Sequence, residues 1–365
     1  MTSLLRDKLL EVSNSPPTLS NEERLALMEA CDKAKLALET PLDTTIRIMF
    51  GGFESVSLRL AVDMQLIDQA MASKGPVTAN ELSLASGADA ILVVRIMRML
   101  VAMGIFNAEK PSYTCKPLFD LPCATKSTHF PYGASQIPPI VFLPEYFEQK
   151  GYKNPTDADG GSFQFTYQSK QHFFDWLSAR PRLQGAFNTT MGIQRMERGE
   201  TWLDYYPVEG KLRANADGIL LVDVGGSVGH DVIKFQQRFP NLPGRLIFED
   251  FLTVVSSATD LAAGIEAISH DFFRPHPASV RGAKAYYLRT VLHDWPDKQA
   301  LTILRHIRDV MAQDSVLLID ENVMPDENVA LYQASLDLIM MGVFASLDRT
   351  VKQFEELLDA AGLSW

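Results

Sequence analysis

Apolar positions follow two rhythms along the chain, and the change comes near residue 215. Before it they recur mostly three and four residues apart, the repeat of a helix with one buried face. After it, short β-branched runs alternate with helical stretches, which predicts βαβ units and a parallel sheet. The first part predicts helices around residues 2–12, 21–39 and 44–72. Thr78 and Glu81 then form a T-x-x-E box that can satisfy two orphan N–H groups and open a short helix through Ala85. Asp89 can cap the next helix, where Ile91, Val94, Met97, Met99, Leu100 and Val101 build a broad apolar face that stops at Gly104. Ile105–Phe106 and Tyr113–Cys115 read as two strands joined by a turn at Glu109–Pro111, giving the order of a winged helix. Pro131, Pro138, Pro139, Pro144 and Pro155 predict loops rather than long helices over 124–170, of the kind that cover binding sites. Helical patterning resumes from Gln171.

Charge narrows what the winged helix can do. Reading DNA requires cations on its second helix, which offers only Arg95 and Arg98, both within an apolar pattern. The whole chain carries 34 Lys plus Arg against 45 acidic residues, a net charge of -11. Because phosphate neutralisation supplies most of the affinity for nucleic acid, a scaffold or dimerisation module is expected instead. At 365 residues the chain exceeds one core. Three segments are expected: a helical, winged-helix part over 1–122, a linker with pocket helices over 123–214, and the alternating part over 215–365. No run approaches the ~20 apolar residues of a membrane helix. Arg6, Asp7 and Lys8 stand where a signal peptide would be apolar, so a cytoplasmic protein is expected. Cys31, Cys115 and Cys123 lack metal-like spacing and read as buried reduced thiols. No His/Asp cluster has the spacing of a metal site, and no metal is expected.

The chemistry-bearing residues gather after position 218. GILLVDVGGSVGH reads as a strand, a turn with Gly225, Gly226 and Gly229, and a helix start near Asp231. Glycines there let a ligand approach the backbone. The spacing is G-G-x-x-G with no Lys-Ser/Thr pair after it, which disfavours a phosphate loop. Asp223 can hold a cationic or hydroxylated group. Asp250 ends the second strand about 20 residues beyond the turn, where an acid commonly binds ribose hydroxyls. After a third strand over Ile265–His270, Asp271 and Phe272 can flank an adenine, with helix capping the alternative role for Asp271. The fourth strand, Ala283–Leu288, leads into YYLRTVLHDWPD, which places His293 at the C-terminal edge. Acids follow at Glu321 and Asp348. Carboxylates against an imidazole orient the ring and favour its protonated form, a constellation that suggests a general base.

Together these motifs resemble the plant and fungal O-methyltransferases that include the caffeate and isoflavone enzymes, over nearly the whole chain. The resemblance implies an α/β, Rossmann-like class I methyltransferase domain, preceded by a mainly helical winged-helix dimerisation domain. It implies a fungal-type enzyme that uses S-adenosylmethionine (SAM) to methylate a hydroxyl of an aromatic or polyketide-like secondary metabolite. Asp223, Gly225, Gly226 and Gly229 would line SAM, Asp250 hold its ribose, and Asp271 and Phe272 frame its adenine. Arg289 stands where the family usually has lysine near the cofactor. His293 would be the base, braced by Glu321 and by Asp348, where the family more often has Glu. Phe187 and Met191 of FNTTM, with Met340 and Met341, would line the acceptor pocket; ordinary core is the alternative for these four. A homodimer with a small-molecule substrate is implied. Family members normally continue beyond DAAGL with two antiparallel strands that this sequence lacks. Some fungal members of the fold are pericyclases that retain SAM unconsumed, and for that alternative His129, Arg195 and Arg289 could contact the substrate.

Overall fold

Caps decide where the N-terminal helices begin. The computed structural model describes residues 2–14, 17–73, 75–109, 112–115, 130–187, 191, 201–258, 261–327, 329 and 331–365. They fall into two units, Met1–Thr125 and Lys126–Trp365. In the first, α1 (Thr2–Asn14) precedes α2 (Asn21–Leu38), which opens on a Ser20–Glu23 capping box, and α3 (Pro41–Asp63), which opens on Thr40–Asp43. The single helix expected over 44–72 is two. The chain turns at Gln65 in a left-handed conformation (φ 57°) and α4 (Leu66–Ala72) sets off anew. β1 (Val77–Thr78) was not anticipated. The Thr78–Glu81 box then starts α5 (Ala79–Ser86), and Asp89 accepts the N–H groups of Ile91 and Leu92 at the start of α6 (Ala90–Ala102). β2 (Phe106–Glu109) and β3 (Ser112–Cys115) complete an antiparallel sheet of order β1-β3-β2.

The cysteine expectation needs correcting. Cys31 is exposed and Cys115 half-buried, while Cys123 lies outside the described residues. Cys31 sits on α2, which buries no residue within the single chain and leaves Leu25, Met28 and Leu36 exposed.

The second unit begins with α7 (Phe130–Val141), α8 (Leu143–Lys150), α9 (Ser162–Tyr167) and α10 (Phe173–Ser178), followed by the single turns α11 (Trp202–Tyr205) and α12 (Val208–Lys211). Here the prolines misled. Pro138 and Pro139 lie inside α7, in its C-terminal part. Each removes a backbone donor, but tertiary contacts compensate. The Pro139 carbonyl accepts a hydrogen bond from Ser162 Oγ at 2.7 Å. Ile140 packs where Gly342 leaves no room for a Cβ.

Five parallel strands follow: β4 (Ile219–Val224), β5 (Arg245–Asp250), β6 (Ile265–Ser269), β7 (Ala285–Arg289) and β8 (Val316–Asp320), in the order β6-β5-β4-β7-β8. The helices between and after them are α13 (His230–Arg238), α14 (Leu252–Val255), α15 (Asp297–Arg308), α16 (Leu331–Phe344) and α17 (Val351–Ala361). Alternation along the strands divides the core. Val222, Val224, Ile247, Tyr286 and Leu288 pack with Ile303, Ile307 and Leu357. Leu221, Phe248 and Tyr287 pack with Val232 and Phe235 on the other face. Strand order reverses at β4, and such a switch point opens a crevice beyond the carboxyl ends of the strands.

Candidate functional site

The glycine turn after β4 is bare for two reasons. Gly225 (φ 73°) and Gly229 (φ 83°) adopt a backbone conformation that side chains disfavour. The protein's own atoms also fill the space. A Cβ at Gly225 would lie 2.9 Å from Val291 Cγ2, and one at Gly226 would lie 2.7 Å from Asp223 Oδ2. The turn hangs on β5, whose Glu249 carbonyl accepts the N–H of Gly225 (2.8 Å) and of Gly226 (3.1 Å). Asp223 is buried beneath it.

Asp250 ends β5 and reaches back to the turn. Its Oδ2 accepts the Ser227 N–H at 2.8 Å and its Oδ1 the Phe251 N–H at 2.7 Å. Asp271 Oδ1 accepts the Phe273 N–H at 2.9 Å within a turn; no helix begins there, so the helix-cap alternative does not apply. The Phe272 ring lies 3.8 Å from the position of a Gly225 Cβ, so ring and turn adjoin. Asp250, Asp271 and Phe272 are all half-buried. Two accessible acids, one aromatic face and a turn without side chains suit a nucleoside: polar groups for its hydroxyls and amine, a ring for its base.

Arg289, at the end of β7, is buried and engaged by acids. Its Nη1 donates to Asp231 Oδ1 at 2.6 Å, and Asp320 Oδ2 lies 3.5 Å from Nε. Tyr287 donates to the same Asp320 oxygen at 2.8 Å. Burial and the neighbouring acids, Asp231 first, push the Tyr287 phenol far up, so it stays a donor.

Beyond β7 the chain makes a sharp turn into a short 3-10 helix, Leu292–Asp294. Thr290 enters it with φ 49°, held by its N–H on the Asp320 carbonyl at 3.0 Å and its Oγ1 on Arg289 O at 2.7 Å. Glu321 braces this turn through the main chain. Its Oε1 accepts the N–H groups of Val291 (2.9 Å), Leu292 (2.8 Å) and His293 (3.3 Å), while its Oε2 lies 3.9 Å from His293 Nδ1. Asp348 makes the direct contact to the ring: Oδ1 is 3.3 Å from His293 Nδ1. The shorter side chain therefore reaches, and its N–H is fixed by Asp337 Oδ1 at 3.0 Å. Asp294 Oδ1 lies 3.6 Å from Nε2 on the other side. Burial opposes an imidazolium here, but Asp294, Glu321 and the hydrogen bond to Asp348 outweigh it and carry His293 up to about 10. Burial pushes the Asp294 carboxyl up to about 7, reinforced by Glu321 and Asp348 and opposed by His293.

Five contributors escaped the sequence reading. Asp294 stands within the same LHDWPD motif. Arg349 adjoins Asp348 and is fully buried, donating from Nη1 to Leu292 O (2.7 Å) and from Nη2 to Trp295 O (2.8 Å) and Asp297 Oδ1 (2.7 Å). Trp295 stacks on His172 with ring centroids 4.3 Å apart, and Phe273 meets it edge-on at 4.6 Å. Burial takes His172 down to about 4, so the stacked imidazole is neutral. An arginine beside a motif acid was the available signal; the aromatic stack had none.

Among the pocket residues, Met340 is 6% exposed and packs with Phe163, Phe173, Trp176 and Phe344, the ordinary-core alternative. Phe187 is half-buried on the edge of that cluster, 5.8 Å from Phe174. Met191 and Met341 are half-buried. His129 and Arg195 lie outside the described residues.

Comparison with known proteins gives a consistent result. The O-methyltransferase domain family matches residues 211–364, and the O-methyltransferase dimerisation domain family matches residues 46–121. O-methyltransferase penC of Penicillium thymicola is 33% identical over 363 residues, covering 95% of this chain and 89% of its own length. A solved complex of LepI with SAM superposes with a TM-score of 0.86 at 28% identity, covering 100% of this chain and 93% of the other. A structure described as a pericyclic reaction enzyme gives 0.87 at 28%, covering 100% and 94%.

Proposed function

Because the chain belongs to the SAM-dependent O-methyltransferases, we propose that it methylates a hydroxyl of an aromatic or polyketide-like small molecule, with His293 as the base. When bound, SAM supplies an electrophilic methyl group on a sulfonium. Asp250, Asp271 and Phe272 would hold its nucleoside beside the turn at Gly225, Gly226 and Gly229. The buried Asp223 and Arg289 would support the cradle from beneath. The observation that carries the catalytic reading is the carboxylate cage of His293. Asp348 accepts from Nδ1 and Glu321 holds the main chain of the turn. Nε2 is thereby left to take the acceptor's hydroxyl proton, with Asp294 3.6 Å away to stabilise the charge that results. Half-buried Phe187, Met191 and Met341 favour an apolar acceptor.

A positioned base contributes ~10²–10⁴-fold. His293→Ala should therefore lower kcat by about that factor while S-adenosylhomocysteine affinity stays unchanged. The assay follows acceptor mass and S-adenosylhomocysteine release across a panel of phenolic polyketides. An unaltered kcat in the variant would remove His293 from its role. Likeness to the pericyclic reaction enzyme favours a second reading, in which SAM is retained and the charged His293 donates a hydrogen bond to a rearranging substrate. Product formation without methyl gain or S-adenosylhomocysteine release would establish it in place of the first.

A homodimer belongs to the same proposal. Leu25, Met28 and Leu36 of α2, with Ile46, Phe53 and Val56 of α3, are exposed in the single chain, and the dimerisation domain begins at residue 46. Light scattering should report twice the chain mass; a monomer at micromolar concentration would overturn it. Among the described residues no helix is long and apolar enough to cross a membrane, and a cytoplasmic site of action is proposed with it.

A further inference from the structure

Glu249 directly precedes the acid at the end of β5, and strand alternation turns its side chain to the opposite face of the sheet. There it meets two imidazoles, from His270 after β6 and from His276 between Pro275 and Pro277. One ligand atom from each of the three residues lies within 4.8 Å of the others. The imidazole rings of His270 and His276 are 4.5 Å apart. Glu249 Oε2 is 2.8 Å from His276 Nδ1, with 1% and 0% of the two side chains exposed. Despite this proximity, five buried atoms here lack a hydrogen-bond partner: both Glu249 oxygens, both His276 nitrogens and His270 Nε2.

A buried carboxylate without donors costs several kcal/mol. One proton shared between Glu249 and His276 would satisfy a single pair of these atoms and leave the other three. A divalent ion takes one atom from each residue and neutralises the carboxylate at the same time. Two imidazoles and one carboxylate, with a further position open, are a ligand set suited to zinc and neighbouring transition metals. Bonds of ~2.0–2.1 Å in a tetrahedron put ligands ~3.3 Å apart, so the cluster needs to contract only modestly. His270, which is half-buried, offers the route in. Its main-chain hydrogen bond at Arg274 fixes the ring while Nε2 remains open, as outer partners commonly do for metal-bound histidine.

We propose that Glu249, His270 and His276 bind one divalent transition-metal ion of the zinc class, at a site separate from the acceptor chemistry. Its placement gives it a task. The Glu249 carbonyl holds Gly225 and Gly226, and the His270 N–H donates to the Asp250 carbonyl at 2.9 Å. An ion here would tie together the ends of β5 and β6, from which the glycine turn and Asp250 are presented. The distances of 21 and 6 residues between the ligands hide such a site from any reading of local spacing.

The test uses the full chain, dialysed against chelator and titrated with Co²⁺ and then Zn²⁺. One Co²⁺ per chain should develop the visible bands of a four-coordinate site, and one Zn²⁺ should displace it. His276→Gln and His270→Gln should each weaken binding by more than the ~10–100-fold typical of outer-shell changes. Zn²⁺ should raise the Tm of wild type but not of the variants. Should either variant fold poorly, X-ray absorption on Zn²⁺-loaded wild type decides, with two imidazoles and one oxygen donor at ~2.0–2.2 Å expected. Binding below one equivalent, binding unchanged in His276→Gln, or fewer than two imidazoles on the ion would overturn the proposal and leave a buried Glu–His pair.

Discussion

Replacing Arg349 by methionine keeps much of the side chain's apolar stem and removes its five donors. Two of the acceptors, the carbonyls of Leu292 and Trp295, belong to buried residues that bracket His293 and Asp294. The Trp295 carbonyl, left without a donor, costs ~1–3 kcal/mol, while the Leu292 carbonyl keeps the Trp295 N–H at 3.2 Å and loses a charge-assisted hydrogen bond worth ~1.5–3 kcal/mol. The third partner, Asp297, has a side chain 68% exposed and regains water, so its ion pair adds little. Two carbonyls then give ~2–6 kcal/mol, and relief from keeping a guanidinium buried offsets part of it, leaving ~2–4 kcal/mol. For a unit of this size that is a fall in Tm of ~5–15 °C. Because the lost contacts hold the turn rather than the residues proposed for the nucleoside, kcat should drop while S-adenosylhomocysteine affinity is kept. Arg349→Lys, with one point donor instead of a fork, should fall between the two. Calorimetric melting, paired with kcat and S-adenosylhomocysteine titration, measures all three quantities. A Tm within ~2 °C of wild type, or cofactor affinity that declines in step with kcat, would refute the clamp.

Other expectations follow from the same geometry. Only a neutral imidazole accepts a proton, and His293 is raised to about 10, so kcat/KM should climb with pH through the neutral and alkaline range. Asp348→Asn should shift that rise to lower pH, and a profile flat between neutrality and the alkaline limb would exclude His293 as the titrating base. Asp250→Ala removes a charged partner worth ~1.5–3 kcal/mol and should weaken S-adenosylhomocysteine binding by ~10–100-fold in calorimetry; unchanged affinity would place the ribose elsewhere.

Legibility in the sequence tracked distance along the chain. The Thr78–Glu81 box and the Asp89 cap are local signals, because each bond closes within four residues, and the strand before Gly225 shows as an apolar run although its bonds go to distant strands. The parallel sheet was legible from alternation between β-branched runs and helices. The prolines of α7 misled because what offsets them, Ser162 and Gly342, lies 23 residues away or more. Arg349 binds a turn more than 50 residues earlier, and no local pattern announces a fully buried arginine. The Glu249 cluster likewise forms only when β5 and β6 pair. Motif resemblance picked out Glu321 and Asp348 from afar, but not that Glu321 grips the main chain and Asp348 the ring.

Thr290 bears on how far this site can drift. A β-branched residue at φ 49° stores ~1–3 kcal/mol that glycine would release. A chain selected for endurance alone would have abandoned threonine there. Its Oγ1 on the Arg289 carbonyl sets the angle at which the polypeptide leaves the sheet for His293, and glycine would free that angle. The histidine loop is therefore bounded on both sides. Substitutions that relax it lose aim, and bulkier ones cannot take the backbone. Variation that adapts such an enzyme to new acceptors is expected to collect on the helices around Phe187 and Met341, while the segment from Thr290 to Trp295 stays nearly fixed.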